Sequence, residues 1–90
     1  MLEKHLERWC REEVKKAGGL FYKWTSPGQS GVPDRILILR GTVVFVELKR
    51  VGGRLTEHQA FVIGKLRAHG ARVEVVSSKD DLRDLLASIA

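Results

Sequence analysis

Three charged residues sit where charge is costly. Glu47 interrupts Val43-Val44-Phe45-Val46-Glu47-Leu48-Lys49, a run otherwise apolar and β-branched enough for an interior strand. A carboxylate in such surroundings needs a partner or a metal ion. Lys49 lies two residues on and so leaves the same face of the strand. A second strand, Asp34 to Arg40, precedes this one, and Gly41-Thr42 between them has the form of a two-residue connection with glycine opening a II′ turn. That turn pairs Arg40 with Val43, Ile36 with Glu47 and Asp34 with Lys49. Opposite residues share a face, so Asp34, Glu47 and Lys49 converge, with Asp34 and Glu47 diagonal neighbours roughly 7–8 Å apart at the backbone. Two carboxylates so placed, completed by waters and a phosphate oxygen, suit octahedral Mg²⁺. A plainer reading of the same residues is an Asp34–Lys49 cross-strand salt bridge, with Glu47 at the exposed position of an edge strand.

The elements that must position these groups are marked by periodicity. Leu2, Leu6, Trp9, Cys10, Val14 and Ala17 recur at spacings of three and four among Glu, Lys and Arg, the stripe of an amphipathic helix ended by Gly18-Gly19. Leu20 to Thr25 has strand composition, and residues 26–33 carry too much Gly, Pro and Ser for anything but a loop. After the hairpin and a Gly52-Gly53 loop, Thr56 and Gln59 stand at capping-box spacing before a helix running to about His69 and ended by Gly70. Arg72 to Val76 reads as a strand. Ser78 and Asp81 then cap a final helix with the apolar stripe Leu82, Leu85, Leu86 and Ile89.

The order is αβββαβα, an α/β fold. The hairpin strands are antiparallel, and the strand–helix–strand unit from Val43 to Val76 predicts a right-handed parallel crossover. Both hairpin strands are apolar on both faces, so helices are expected above and below a mixed four-stranded sheet.

Composition sets the remaining bounds. Ninety residues suit one domain, residues 1–90, with one core. No apolar run approaches the roughly 20 residues of a membrane span, and the N-terminus lacks a signal-peptide core. A cytoplasmic protein with no membrane partner is therefore expected. The single Cys10 offers no internal disulfide, and it falls on the first helix's apolar stripe, where it reads as a small hydrophobe. Of the net charge of +5, three units come from residues 21–60, which hold six basic and three acidic side chains. Such a surplus leans toward a polyanionic partner, because phosphates attract Lys and Arg and release counterions on binding.

Several further segments join the three charged residues. They are Gly18-Gly19-Leu20, Lys23-Trp24, Ser26-Pro27-Gly28, Gly31-Val32-Pro33-Asp34-Arg35, Phe45-Val46-Glu47-Leu48-Lys49, and Gly52-Gly53-Arg54-Leu55 with Gln59. On these the chain resembles the PD-(D/E)XK nuclease superfamily, and within it the VRR-NUC domain, over nearly its whole length. The resemblance implies a restriction-endonuclease-like αβββαβ core with an extra C-terminal helix. It also implies hydrolysis of DNA phosphodiesters with Mg²⁺ or Mn²⁺ and no small-molecule cofactor. Asp34, Glu47 and Leu48 become metal ligands, together with a glutamate on the first helix, and Lys49 the catalytic lysine. Glu3 matches that glutamate best by its distance from Gly18-Gly19, while Glu7 lies one turn on along the same side.

Gln59 matches a glutamine beside substrate or metal, and a single side chain is not expected both to close a capping box and to serve the site. Lys23, Arg35, Arg50 and Arg54 become phosphate contacts, although lysines and arginines flanking strands are common. His5, His58 and His69 read as surface residues, Trp9 as core, and Trp24 as open to stacking on a base. Small VRR-NUC proteins of phage and bacteria imply a homodimer acting on branched DNA such as four-way (Holliday) junctions, in a bacterial or phage-infected cell. The competing class is a non-catalytic nucleic-acid-binding module that keeps the fold for its packing.

Overall fold

The computed structural model describes residues 3–89. Its elements follow the predicted order: α1 (Glu3–Lys16), β1 (Leu20–Lys23), β2 (Arg35–Leu39), β3 (Thr42–Leu48), α2 (Glu57–Ala68), β4 (Val73–Val76) and α3 (Lys79–Ala87). Leu2, the first residue of the predicted stripe, lies outside the described residues. The strands form one sheet in the order β1-β2-β3-β4, with β1–β2 and β2–β3 antiparallel and β3–β4 parallel. No helix among the described residues is long and apolar enough to cross a membrane.

Alternation along the strands divides the sheet into two unlike faces. One carries Phe21, Leu37, Leu39, Val44, Val46, Leu48 and Val76, which pack with Leu6, Cys10 and Val14 of α1 and Leu82 and Leu85 of α3 into the main core. Cys10 is fully buried there, and that burial, with the nearby Glu7 charge, pushes its thiol pKa up to about 12. Trp9 lines the edge of this core, with the Lys79 ammonium 5.2 Å and the Arg83 guanidinium 5.3 Å from its ring centroid.

The other face is covered unevenly. The β3–α2–β4 crossover lays α2 over the β4 side, where Val62 and Ile63 are buried with Val73. By register, Leu20, Tyr22, Ile36, Ile38, Val43 and Phe45 share this face on the β1–β2–β3 side. Leu20, Tyr22 and Val43 are exposed there. Strands apolar on both sides led to an expectation of helices on both faces, and helices do occupy both, but a single α2 of 12 residues is too narrow to span four strands.

The hairpin differs from expectation in its turn. Leu39 pairs with Thr42, so the connection is Arg40-Gly41 rather than Gly41-Thr42. Both residues have positive φ, 49° at Arg40 and 80° at Gly41, as a I′ turn requires. The register shifts by two residues, an even number, so every side chain keeps its predicted face. Extending the ladder past Arg35↔Val46 brings Asp34 opposite Glu47 rather than Lys49. A left-handed arginine is strained in a way asparagine is not. Arg40→Asn is therefore expected to stabilise the protein by about 0.5 kcal/mol in urea unfolding. Gly41→Ala should destabilise it by more than ~1 kcal/mol. If Arg40 were an ordinary strand residue, asparagine would instead be the poorer choice.

Candidate active site

The carboxyl ends of β3 and β4, the loop entering β2 and the first turn of α2 meet at Glu47. This residue is only 5% exposed and is the one charged side chain in the buried set of the described residues. Its partners come from three directions. Lys49, two residues along the strand, brings Nζ to 3.4 Å from Glu47 Oε2. Gln59 donates from Nε2 to Glu47 Oε2 at 3.4 Å. Asp34, opposite across the hairpin, adds a second negative charge close enough to disfavour ionisation of Glu47. Burial first, then Asp34, raises the Glu47 pKa above its ordinary value, and Lys49 opposes them without prevailing.

Asp34 is fixed by backbone at both ends. Its Oδ1 accepts from the Leu48 N–H at 3.1 Å, and its carbonyl accepts from the Trp24 N–H at 2.9 Å. The N–H and C=O of one strand residue point the same way. The Leu48 carbonyl therefore faces the gap in which Asp34 sits, alongside the two carboxylates. Arg35 Nη1 donates to the Asp34 carbonyl at 2.9 Å and lies 3.5 Å from Asp34 Oδ2. Its Nε is buried without a hydrogen-bond partner and lies 3.9 Å from Glu7 Oε1. The Arg35 guanidinium, read from sequence as a possible phosphate contact, is thus committed to α1 and Asp34, with its side chain 14% exposed.

Gln59 corrects an expectation. Its Oε1 accepts from the Thr56 N–H at 3.0 Å and from Lys49 Nζ at 2.9 Å, while the Thr56 hydroxyl accepts from the Gln59 N–H at 3.0 Å. The capping box and the contact with the candidate site coexist because an amide oxygen has two lone pairs and the amide nitrogen remains free to donate to Glu47.

The remaining predicted residues lie further out. Glu3 is exposed in the first turn of α1, whereas Glu7 reaches Arg35 and pairs with Arg11 at 3.2 Å. Lys23, Arg50 and Arg54 are exposed, and among the described residues none of them forms an ion pair. Trp24, half-buried, packs on Phe45 with ring centroids 4.7 Å apart. Sequence reasoning passed over Ser30 and His58, whose side chains meet at 2.9 Å, and the Glu7–Arg35 approach. Neither pairing has a local signal, since each joins residues that only the fold brings together.

The donor set suits a hard divalent cation. Two carboxylates and a strand carbonyl supply oxygen only, and the buried Glu47, its ionisation disfavoured beside the partly exposed Asp34, gains from a nearby positive ion. No group of three or more His, Cys, Asp and Glu among the described residues is arranged to hold a metal. Mg²⁺ commonly binds through one or two carboxylates, with water and phosphate completing its shell.

A stability consequence follows from the raised Glu47 pKa. A carboxyl whose pKa is higher folded than unfolded binds its proton more tightly when folded. The metal-free protein therefore loses stability as pH rises from the ordinary carboxylate range through the raised value. From weakly acidic to neutral buffer thermal unfolding should show that decline, Mg²⁺ should oppose it, and Glu47→Gln should remove both effects and raise the metal-free Tm by a few degrees; in alkaline buffer the raised Cys10 thiol adds a loss of its own that Glu47→Gln leaves in place. A Glu47→Gln protein with the wild-type pH slope would contradict this account.

Comparison with known proteins agrees with the fold. The chain is 44% identical over 80 residues to the candidate nuclease p44 of Acyrthosiphon pisum secondary endosymbiont phage 1, covering 88% of this chain and 82% of that one. A solved VRR_NUC domain superposes with a TM-score of 0.87 at 32% identity, covering 98% of this chain and 97% of the other. Hjc, a Holliday junction resolvase of the hyperthermophilic archaeon Archaeoglobus fulgidus, shares the fold at a TM-score of 0.60 and 22% identity, over 82% of this chain and 65% of its own. The VRR-NUC family model matches residues 2–80, and the chain belongs to the VRR-NUC domain family.

Proposed function

We propose that the protein is a metal-dependent DNA endonuclease that acts as a homodimer on branched DNA such as four-way junctions. The observation that carries the catalytic part is the convergence of Asp34, Glu47, Lys49 and Gln59 at one end of the sheet. Asp34, Glu47 and the Leu48 carbonyl would hold Mg²⁺ or Mn²⁺, with Glu3 or Glu7 of α1 as a further candidate ligand. Bound there, the ion would supply Lewis-acid polarisation of the scissile phosphate and of water.

The chain's own residues do the rest. Lys49 holds an ammonium between Glu47 and Gln59, where it can donate to a phosphate oxygen as negative charge grows in the transition state. Gln59, anchored by its capping box, accepts from Lys49 and donates to Glu47, and so orients both. Lys23, Arg50 and Arg54 present free cations to the DNA backbone, contacts that position without reading sequence.

Branched-DNA specificity calls for two sites in fixed relation, and the open sheet face supports a second copy as its occupant. Leu20, Tyr22 and Val43 are 45–56% exposed on one side of an otherwise packed sheet, with Ile36, Ile38 and Phe45 half-buried among them. Contiguous apolar surface of this kind marks an interface, and a two-fold axis through it would relate two identical sites. The likeness to a junction resolvase in fold is consistent with that substrate class.

Two experiments test the reading. Four-way-junction, flap, nicked and linear DNA are incubated with the protein with and without Mg²⁺ or Mn²⁺, alongside Lys49→Ala. Metal-dependent cutting is expected, strongest on the junction, and reduced roughly 10²–10³-fold in Lys49→Ala while binding is retained. Binding without cutting on every substrate would overturn the enzyme in favour of a binding module. Light scattering on an eluting peak should give twice the monomer mass for the wild type and the monomer mass for Tyr22→Glu. A wild-type monomer at working concentration would remove the dimer.

A further inference from the structure

The connection between β1 and β2 runs from Trp24 to Asp34 and delivers a candidate metal ligand at its last residue. Its neck is tied by the Trp24 N–H to the Asp34 carbonyl, and a turn inside it by the Gln29 N–H to the Ser26 carbonyl at 3.1 Å. Among the described residues, the interior of this loop has one hydrogen-bonded link to another element. That link is His58 of α2, whose Nε2 lies 2.9 Å from Ser30 Oγ and 3.1 Å from the Ser30 carbonyl oxygen. With its proton on Nε2 the ring donates to Ser30. With the lone pair there it accepts from the serine hydroxyl, so either neutral tautomer keeps a bond.

Gly31 is shaped to the same contact. It has φ of +80°, and a Cβ built on it would stand 2.7 Å from His58 Cδ2 and 3.1 Å from Val62 Cγ2. Only glycine lets the loop backbone close onto the imidazole here. His58 is also the immediate neighbour of Gln59. The first turn of α2 therefore holds Gln59 against Lys49 and Glu47 on one side and grips the loop that carries Asp34 on the other.

We propose that His58 is a positioning residue. Its clasp on Ser30 and Gly31 sets the β1–β2 loop, and through it Asp34, in register with the α2 side of the site. The proposal rests on the nuclease reading for its catalytic consequence, but not for the clasp itself. Ser30 and His58 are both exposed and outside the core, so releasing the clasp should leave the fold intact while loosening the loop. Misplacing a reacting group by about 1 Å can cost a large factor in rate.

The test uses His58→Ala, His58→Asn and His58→Gln. A glutamine amide nitrogen stands near the position of imidazole Nε2 and can still donate to Ser30, whereas asparagine falls short. Hydrogen exchange of the backbone amides from Gln29 to Asp34, Pro33 aside, should accelerate in His58→Ala and His58→Asn and return toward wild type in His58→Gln, with melting temperatures nearly unchanged. Junction cleavage at saturating DNA should follow the same pattern, falling roughly 10- to 100-fold in the first two variants and recovering in the third. DNA affinity without metal should stay constant. Wild-type exchange in His58→Ala would overturn the clasp, and faster exchange with undiminished cleavage would overturn its positioning role. A wild type that cuts no DNA, together with faster loop exchange in His58→Ala, would instead defeat the nuclease reading and leave the clasp standing.

Discussion

A carboxylate buried in a strand is an unstable proposition, and the arrangement around Glu47 follows from the need to make it tolerable. Desolvation disfavours its charge, and Asp34 across the hairpin makes matters worse. Against this stand Lys49 on the same strand and Gln59 from α2. These contacts, with Arg35 beside Asp34, lessen the cost without removing it, and the Glu47 pKa stays raised. The local geometry holds each of these groups in place. Asp34 is held by the Leu48 N–H, Arg35 braces its carbonyl, and the α2 cap fixes Gln59 where it meets both Glu47 and Lys49.

Much of this was legible in the sequence, for identifiable reasons. The helical stripe of α1, the β-branched runs of β2 and β3 and the cap signals of α2 and α3 each express a local rule, and the element order follows from them. The meeting of Asp34 with Glu47 and Lys49 follows from the sequence even though the turn lies one residue earlier than expected, which moves the pairing register by two. It held because side-chain alternation has a period of two, so an even slip preserves the face. The turn itself was misread because Gly41 suits the first central position of one hairpin turn and the second of another, and only the left-handed backbone of Arg40 decides between them.

What escaped the sequence depends on three-dimensional neighbours. Nothing in the spacing of Arg35 tells whether its guanidinium reaches solvent or turns under α1 to Glu7. Apolar alternation on both sides of β2 and β3 cannot say whether a helix or a second molecule covers a face. Gln59 presented a different difficulty: its capping role was recognised, but the spare lone pair that also serves Lys49 becomes visible only when the lysine is in place.

Cys10 has a practical bearing on how the molecule can be handled. Its thiol is fully enclosed between α1 and the sheet and is held protonated far above neutral pH. Since thiolate is the species that reacts with maleimides and oxidants, Cys10 is shielded from such reagents in the folded chain by both its burial and its proton. A cysteine introduced on an exposed position, such as the loop after β3, would be the sole attachment point for a dye or spin label. That gives clean access to distance measurements between protein copies or between protein and DNA, without first replacing a residue that the core packs around.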